Sequence, residues 1–334
     1  MLDDLDERKS AILRAVIAEY IDTAQPVGSS SVACAPGVAV SAATVRNEMA
    51  ALELDGYLYQ PHPSAGRIPT DKGYRFFVDH LRSPSLRPLQ RQQIREFFAK
   101  AHGELEEMLR ATSSLLSRLT DQAAVVVGPT RETGSVRSLQ LVELSPSLAV
   151  IVVVLSNGAV EKRALELGED VSSHHLAVAG AHLSAHMVGR SLGAAGTPTP
   201  VGEPVTDRVV AAAGSAIGDM GEGSNQVFVG GVARMATAFS AIESVRSVLS
   251  ILEQQLEVVT LLHKVLAHGQ SVAIGTEHGI ELLAGCSVVA APYELEGEER
   301  GTIGVLGPTR MNYPETLAAV AAVGRQLGRY LSEG

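Results

Sequence analysis

Tryptophan is absent, cysteine occurs twice and aromatic side chains make up only 4% of the 334 residues. So few rings suit helices and buried strands better than an aromatic binding platform. Cys34 and Cys286 stand far apart, which excludes a disulfide framework and a cysteine-rich zinc site; both are expected to be small buried apolar residues. No stretch approaches the roughly 20 uninterrupted apolar residues of a membrane-spanning helix. A basic leader is missing too, because Met1-Leu2-Asp3-Asp4-Leu5-Asp6-Glu7 is acidic, opposite to the start of a secretory signal. The chain is therefore expected to be cytoplasmic. Excess positive charge is also lacking: the net charge is −10, so any affinity for nucleic acid must come from local placement.

What is present is apolar material, 46% of the residues, in a chain long enough for two or three domains. Ile12, Leu13, Val16, Ile17, Tyr20 and Ile21 repeat at the spacing of one helix face and predict a first helix from about Asp6 to Thr23. Ser29 to Ser31 offer an N-cap for a short second helix through Ala35. After the Pro36-Gly37 turn, Ser41 caps a third helix that runs to Asp55 and is closed by Gly56. Tyr57 to Tyr59 and Ile68 read as a small hairpin, with Thr70 capping a further helix over Asp71–Leu81. Three compact helices followed by a hairpin describe a winged helix-turn-helix at 1–82, and 83–88 reads as its linker.

From Leu89 to Thr120 the chain is expected to be helical, with Ile94, Phe98, Leu105, Met108, Thr112, Leu115 and Leu119 forming one seam. Strands follow at Val136–Leu144, Leu148–Ser156 and Ala159–Leu167, the last two joined by Asn157-Gly158, a strong hairpin signal. Residues from Val171 look like an insertion that begins as a helix near His174–Val188 and loosens through Ser191–Pro204. A continuous helix is expected over Ser240–Ala267. There Ile242, Val245, Leu249, Leu252 and Leu256 keep a 3,4 repeat that serves either a dimer seam or a core helix lying on a sheet. Strands at Ser271–Gly275, Ser287–Tyr293 and Thr302–Leu306 and a helix at Pro314–Leu331 close the chain. Strands split by an insertion imply an α+β fold: one antiparallel domain, 89–170 and 266–334, interrupted by another at 171–265.

In the third helix Val45, Met49 and Leu52 must face the core, so Ala43, Arg46 and Asn47 point outward in its first two turns. That is the end of a recognition helix that enters the major groove. Arg46 offers a fork to a guanine edge or a phosphate, and Asn47 suits the two edge groups of adenine. Ser41 and Thr44 sit where hydroxyls and a helix N-terminus reach phosphate oxygens. The plain alternative is a surface helix whose Arg46 pairs with Glu48 or Asp55. The wing adds His62, Ser64, Gly66, Arg67, Lys72 and Arg75. Arg67 is expected at its tip, aimed at the minor groove, with Gly66 allowing the backbone to approach DNA.

These residues resemble a known family. Pro26-Val27-Gly28-Ser29-Ser30, Ser41 to Met49 and Pro61 to Arg75 look like HrcA, the heat-inducible transcription repressors of bacteria, and Gly301 to Tyr313 matches the family's C-terminal signature. The resemblance implies a winged helix, a GAF-like domain (89–170 and 266–334) and a dimerisation domain inserted in it (171–265). It implies a homodimer on double-stranded DNA carrying the inverted repeat CIRCE upstream of chaperone operons. It also implies the GroEL chaperonin as a modulating partner, and no enzymatic activity or cofactor.

Other features carry weaker signals. His182 and His186, with His174 and His175, lie at ligand spacing on a helix, but no Glu follows His182 as a zinc-protease motif requires, so solvated or interface histidines are expected instead of metal. Gly301 to Gly307 lacks the Lys-Ser/Thr of a phosphate loop and is read as backbone turning. A ligand-sensing winged-helix regulator, using the GAF-like sheet as its pocket, is the remaining alternative.

Overall fold

The computed structural model describes residues 5–81, 86–100, 104–129, 135–145, 147–156, 160–168, 171–192, 198–221, 226–231, 234, 242–267, 269, 271–295 and 298–333. Its N-terminal unit contains helices α1 (Glu7–Thr23), α2 (Ser29–Val32) and α3 (Ala42–Leu54), a hairpin of β1 (Leu58–Tyr59) and β2 (Ile68–Pro69), and α4 (Asp71–Asp79). Local chemistry sets these boundaries. Asp6 caps α1 by accepting from the Lys9 amide, Ser41 caps α3 through the Thr44 amide, and Thr70 caps α4 through the Gly73 amide. Gly56 ends the α3 segment at φ +77°, where a side chain is strained.

Helices α5 (Pro88–Lys100) and α6 (Leu105–Thr120) then lead into β3 (Ala123–Val127). The body is an antiparallel sheet in the order β7-β3-β10-β9-β8, with β7 at Val227–Gly230, β8 at Val272–Ile274, β9 at Cys286–Leu295 and β10 at Glu298–Pro308. Alternate residues of β3 serve two layers, as a strand's period of two demands. Ala124 and Val126 face α6 and the C-terminal helix α11 (Tyr313–Glu333), while Ala123, Val125 and Val127 face α9 (Ile242–Glu253) and α10 (Gln255–Ala267). Core positions of the N-terminal unit, from Ile12 to Tyr74, share one continuous apolar cluster with α5, α6, α11 and the sheet.

A separate three-stranded meander, β4 (Val136–Ser145), β5 (Leu148–Leu155) and β6 (Val160–Glu166), packs under α7 (Ser173–Met187) and α8 (Pro204–Gly221). Ala149, Ile151, Val153 and Leu155 of β5 meet Leu176, Ala179 and Leu183 of α7 and Val209, Ala213 and Ile217 of α8 in a core of their own. This corrects the expected division. The strands at 136–166 form a sheet of their own, bridged through Ser135 and Val136 to Ser191 and Val188, and belong with the insertion, whereas 242–265 covers the sheet of the body. The insertion leaves between β3 and β7, neighbours in the five-stranded sheet.

Other expectations also shift. The helix read as continuous over Ser240–Ala267 divides at Gln254. Leu252 is buried and Leu249 half-buried in the core on the sheet, while Leu256 is 74% exposed. The heptad therefore does not form one seam, and the side chains of Ile242 and Val245 lie outside the description. Asn157-Gly158 lies outside the described residues, although β5 and β6 pair antiparallel as expected. Cys286 is buried, which pushes its thiol up to about 12, but Cys34 is exposed. Gly301, Gly304 and Gly307 lie within β10 and do not turn the chain. A side chain there would meet the Tyr293 ring, Leu262 and Gln122 respectively.

Tyr293 links these layers, since its buried hydroxyl donates to the Val127 carbonyl at 2.9 Å across β10. Tyr293→Phe is expected to lower the stability of the body by about 1–2 kcal/mol, the cost of a buried acceptor losing its donor. A urea titration of wild type and variant checks this; coincident midpoints would show that the bond contributes nothing.

Candidate nucleic-acid interface

Helix α3 is held against α1 by Val45, Met49 and Leu52, all buried beside Ile12, Leu13, Val16 and Ile17. Its opposite face is open: Ser41, Ala43, Arg46 and Asn47 are exposed, and Thr44 is half-buried with its hydroxyl 3.0 Å from that of Ser41. The helix carries three carboxylates, counting its C-cap, and each is drawn aside by a base from elsewhere in the unit. Glu48 pairs with Arg8 at 2.6 Å, Glu53 with Arg67 at 2.9 Å and Asp55 with Lys9 at 3.6 Å. The alternative in which Arg46 is spent on Glu48 or Asp55 is therefore not realised. Residues 1–88 hold two more acidic than basic side chains, yet the acids of α3 are neutralised away from the face that bears Arg46.

The hairpin is another matter. His62 and Ser64 are exposed at its tip, where the Ala65 amide donates to the His62 carbonyl at 2.8 Å and the Gln60 side-chain amide braces the Pro63 and Ala65 carbonyls. Arg67 is not at the tip. Its backbone exchanges two 2.9 Å hydrogen bonds with Val27, and its side chain, 14% exposed, turns the guanidinium onto Glu53. Gly66 packs against the same segment, so a Cβ there would strike the Val27 carbonyl and not a ligand.

Lys72 donates to the Asp55 carbonyl at 2.9 Å and lies 4.2 Å from the centre of the Tyr57 ring. Arg75 faces the body, donating to Glu277 and to the Val272 carbonyl, and the Glu277 hydrogen bonds raise its pKa above the ordinary guanidinium value. The expectation of a basic wing made of Arg67, Lys72 and Arg75 is thus corrected. Each cation is close to a carbonyl or carboxylate brought to it by the fold, a pairing with no local sequence signal.

Three of the four candidate histidines are similarly engaged, while His174 is exposed. His175 accepts from the Ser172 amide at 3.0 Å, His182 meets the Thr199 carbonyl at 2.7 Å, and His186 lies 3.4 Å from Arg190. Among the described residues no three His, Cys, Asp or Glu side chains cluster as a metal site would require, and no helix is long and apolar enough to cross a membrane.

Residues 106–317 match the family model for the HrcA protein C-terminal domain. The chain is 40% identical to the heat-inducible transcription repressor HrcA of Rhodococcus jostii, over 99% of this chain and 100% of that protein. The chain belongs to the HrcA family. The HrcA of Nocardia farcinica is 39% identical over 100% of this chain and 99% of its own length, and that of Mycolicibacterium smegmatis 38% over 98% of each. HrcA relatives thus span the whole chain, head and body together. A crystal structure described as a hypothetical protein shares the fold at a TM-score of 0.73 and 22% identity, covering 99% of each chain.

Proposed function

We propose that the chain represses heat-shock chaperone operons by binding the CIRCE inverted repeat as a homodimer, with the GroEL chaperonin modulating its activity. Residues 5–81 act as a winged helix-turn-helix. Ala43, Arg46 and Asn47 read base edges in the major groove, Ser41 and Thr44 meet phosphates, and His62 and Ser64 meet the backbone from the wing tip. The observation that carries this reading is the exposed first half of α3, with Arg46 and Asn47 outward and the helix's own carboxylates paired elsewhere. The five-stranded sheet with its helices is the GAF-like domain, and β4–β6 with α7 and α8 is the inserted dimerisation domain. A gel-shift titration on the inverted repeat, with and without chaperonin, tests the reading. A specific shift is expected, and its absence in both conditions removes the proposal.

Regulation follows from mass action. A repressor whose folded state is marginal keeps its active population only while free chaperonin returns its unfolded chains to that state. When unfolded protein occupies the chaperonin, the repressor loses that support and its operons are released.

An inverted repeat demands two-fold symmetry in its reader. With Leu249 and Leu252 turned into the core, the apolar face left for a second copy is the outer side of the meander. There Val142, Val150, Val152 and Val154 line up beside Val160 and Ala164, with Ser138, Gln140 and Lys162 on the same face, on the side opposite the buried Ala149, Ile151 and Val153. Val150→Asp, opposite Val142 and Ala164, is expected to convert a dimer into a monomer at micromolar concentration by placing an unpaired charge in that contact. Light scattering after size exclusion reads the result; an unchanged mass would place the dimer contact elsewhere.

A further inference from the structure

The head and body meet through α4. Asp71, in its first turn, accepts from the Thr276 amide at 3.2 Å, with the Thr276 hydroxyl at 3.5 Å. One turn later Arg75 donates from Nε to Glu277 at 2.8 Å, and from one terminal nitrogen to the Val272 carbonyl at 2.9 Å and the second Glu277 oxygen. Glu277 is itself oriented by the Ile274 amide at 2.8 Å. Gly275 makes the approach possible: it sits at φ +54°, and a Cβ there would land on the Asp71 carboxylate. Between the two polar contacts Tyr74 packs on Tyr313, ring centres 5.8 Å apart, within the cluster shared by both units. Asp71 and Arg75, four residues apart on one helical face, thus grip the segment 272–277 with complementary chemistry.

This arrangement matters because the two halves of an inverted repeat stand at a fixed distance and rotation. Two heads joined through their bodies engage both halves only if each head keeps a defined angle, and the avidity is lost when geometry forbids simultaneous contact. We propose that Asp71, Arg75, Gly275 and Glu277 form a positioning joint that fixes the head on the body and so sets the half-site spacing the repressor accepts. Arg75 acts here as a fork on Glu277 and the Val272 carbonyl, and it makes no DNA contact. The consequence for spacing rests on the dimeric-repressor reading; the joint itself does not.

Two measurements separate these. Spin labels on the exposed Cys34 and on a cysteine introduced at the exposed Leu282, in chains diluted into an excess of unlabelled protein, report the head-to-body distance within one chain. A single narrow distribution is expected in the parent. It should broaden in Arg75→Gln, Glu277→Gln and also Arg75→Lys, because an ammonium cannot reproduce the fork. Unchanged distributions in all three variants would overturn the joint, whatever happens on DNA.

Full-length wild type and the same variants are then titrated on the inverted repeat with its own spacer and with the spacer changed by a few base pairs. Wild type is expected to lose at least roughly tenfold on the altered spacing, and the variants less than about threefold. The salt dependence of Arg75→Gln should match wild type. If instead its slope falls by about one, while Glu277→Gln binds as well as wild type or better, Arg75 meets a phosphate and the joint is refuted. Wild type that ignores the inverted repeat at every spacing would sink the repressor reading, while the label distances still decide the joint.

Discussion

Replacing Arg46 and Asn47 together by alanine is expected to remove discrimination between the inverted repeat and unrelated duplex while leaving the protein folded. Both side chains are exposed on the first two turns of α3, and neither contributes to the buried stripe of Val45, Met49 and Leu52. Thermal stability should therefore stay within the small range of surface substitutions. Each single change removes a base contact and is expected to weaken specific binding by about 1–3 kcal/mol. The two lie side by side, so their effects need not add, and a double-mutant cycle measures the coupling.

Non-specific binding behaves differently. It arises from phosphate neutralisation and falls with salt in proportion to the contacts made. Asn47→Ala should leave the salt slope untouched, whereas Arg46→Ala changes it by about one only if Arg46 grips a phosphate instead of a guanine edge. Anisotropy titrations on operator and scrambled duplex at several salt concentrations give both quantities. A double variant that still prefers the operator as wild type does would refute the assignment of α3.

The local parts of this face were readable because their causes are local. Ser41 and Thr70 are capping residues in sequence and caps in space, and the spacing of Val45, Met49 and Leu52 settles which side of α3 is open. The wing cations illustrate the opposite case. Arg67, Lys72 and Arg75 look like a basic patch in a linear count, but Glu53 lies 14 residues from Arg67 and Glu277 lies 202 from Arg75. No turn or helix pattern links the first pair, and no local window holds the second. The strands β3 and β7 were missed for a related reason. Ala123 to Val127 is a short apolar run buried on both faces, with no alternation to distinguish it from the end of α6. Pairing of β3 with β7 across the insertion then moved the domain boundary. Similarly, α8 carries three glycines, Gly214, Gly218 and Gly221, which offset the helix preference of its alanines until its packing against α7 is known.

The same distinction leads to the second large effect, at Gly66. Its place in Ser64-Ala65-Gly66-Arg67 suggested a backbone opening toward DNA, but the constraint comes from inside. Gly66 is not among the residues at positive φ, so alanine is not excluded by backbone strain. It is excluded by contact: the new methyl would press on the Val27 carbonyl and lie 2.7 Å from the Pro26 carbonyl carbon. Those atoms are backbone and cannot swing aside, and the segment is tied to Arg67 by two hydrogen bonds of 2.9 Å.

Relief would require the hairpin to separate from residues 26–27, giving up both bonds and pulling Arg67 from Glu53. Overpacking and the lost bonds together are expected to cost about 2–4 kcal/mol. Because the head shares its apolar cluster with the body, the loss should appear as a lower midpoint for the whole chain and not as a separate early transition. Operator binding should weaken in parallel, since the hairpin and α3 are held in register by the Arg67–Glu53 pair. Arg67→Ala, which deletes that partly exposed pair but spares the backbone bonds, should cost far less. Denaturant titrations of the two variants beside wild type separate the contributions. If Gly66→Ala unfolds with wild type and Arg67→Ala unfolds well before it, the ion pair and not the close backbone contact holds the hairpin in place.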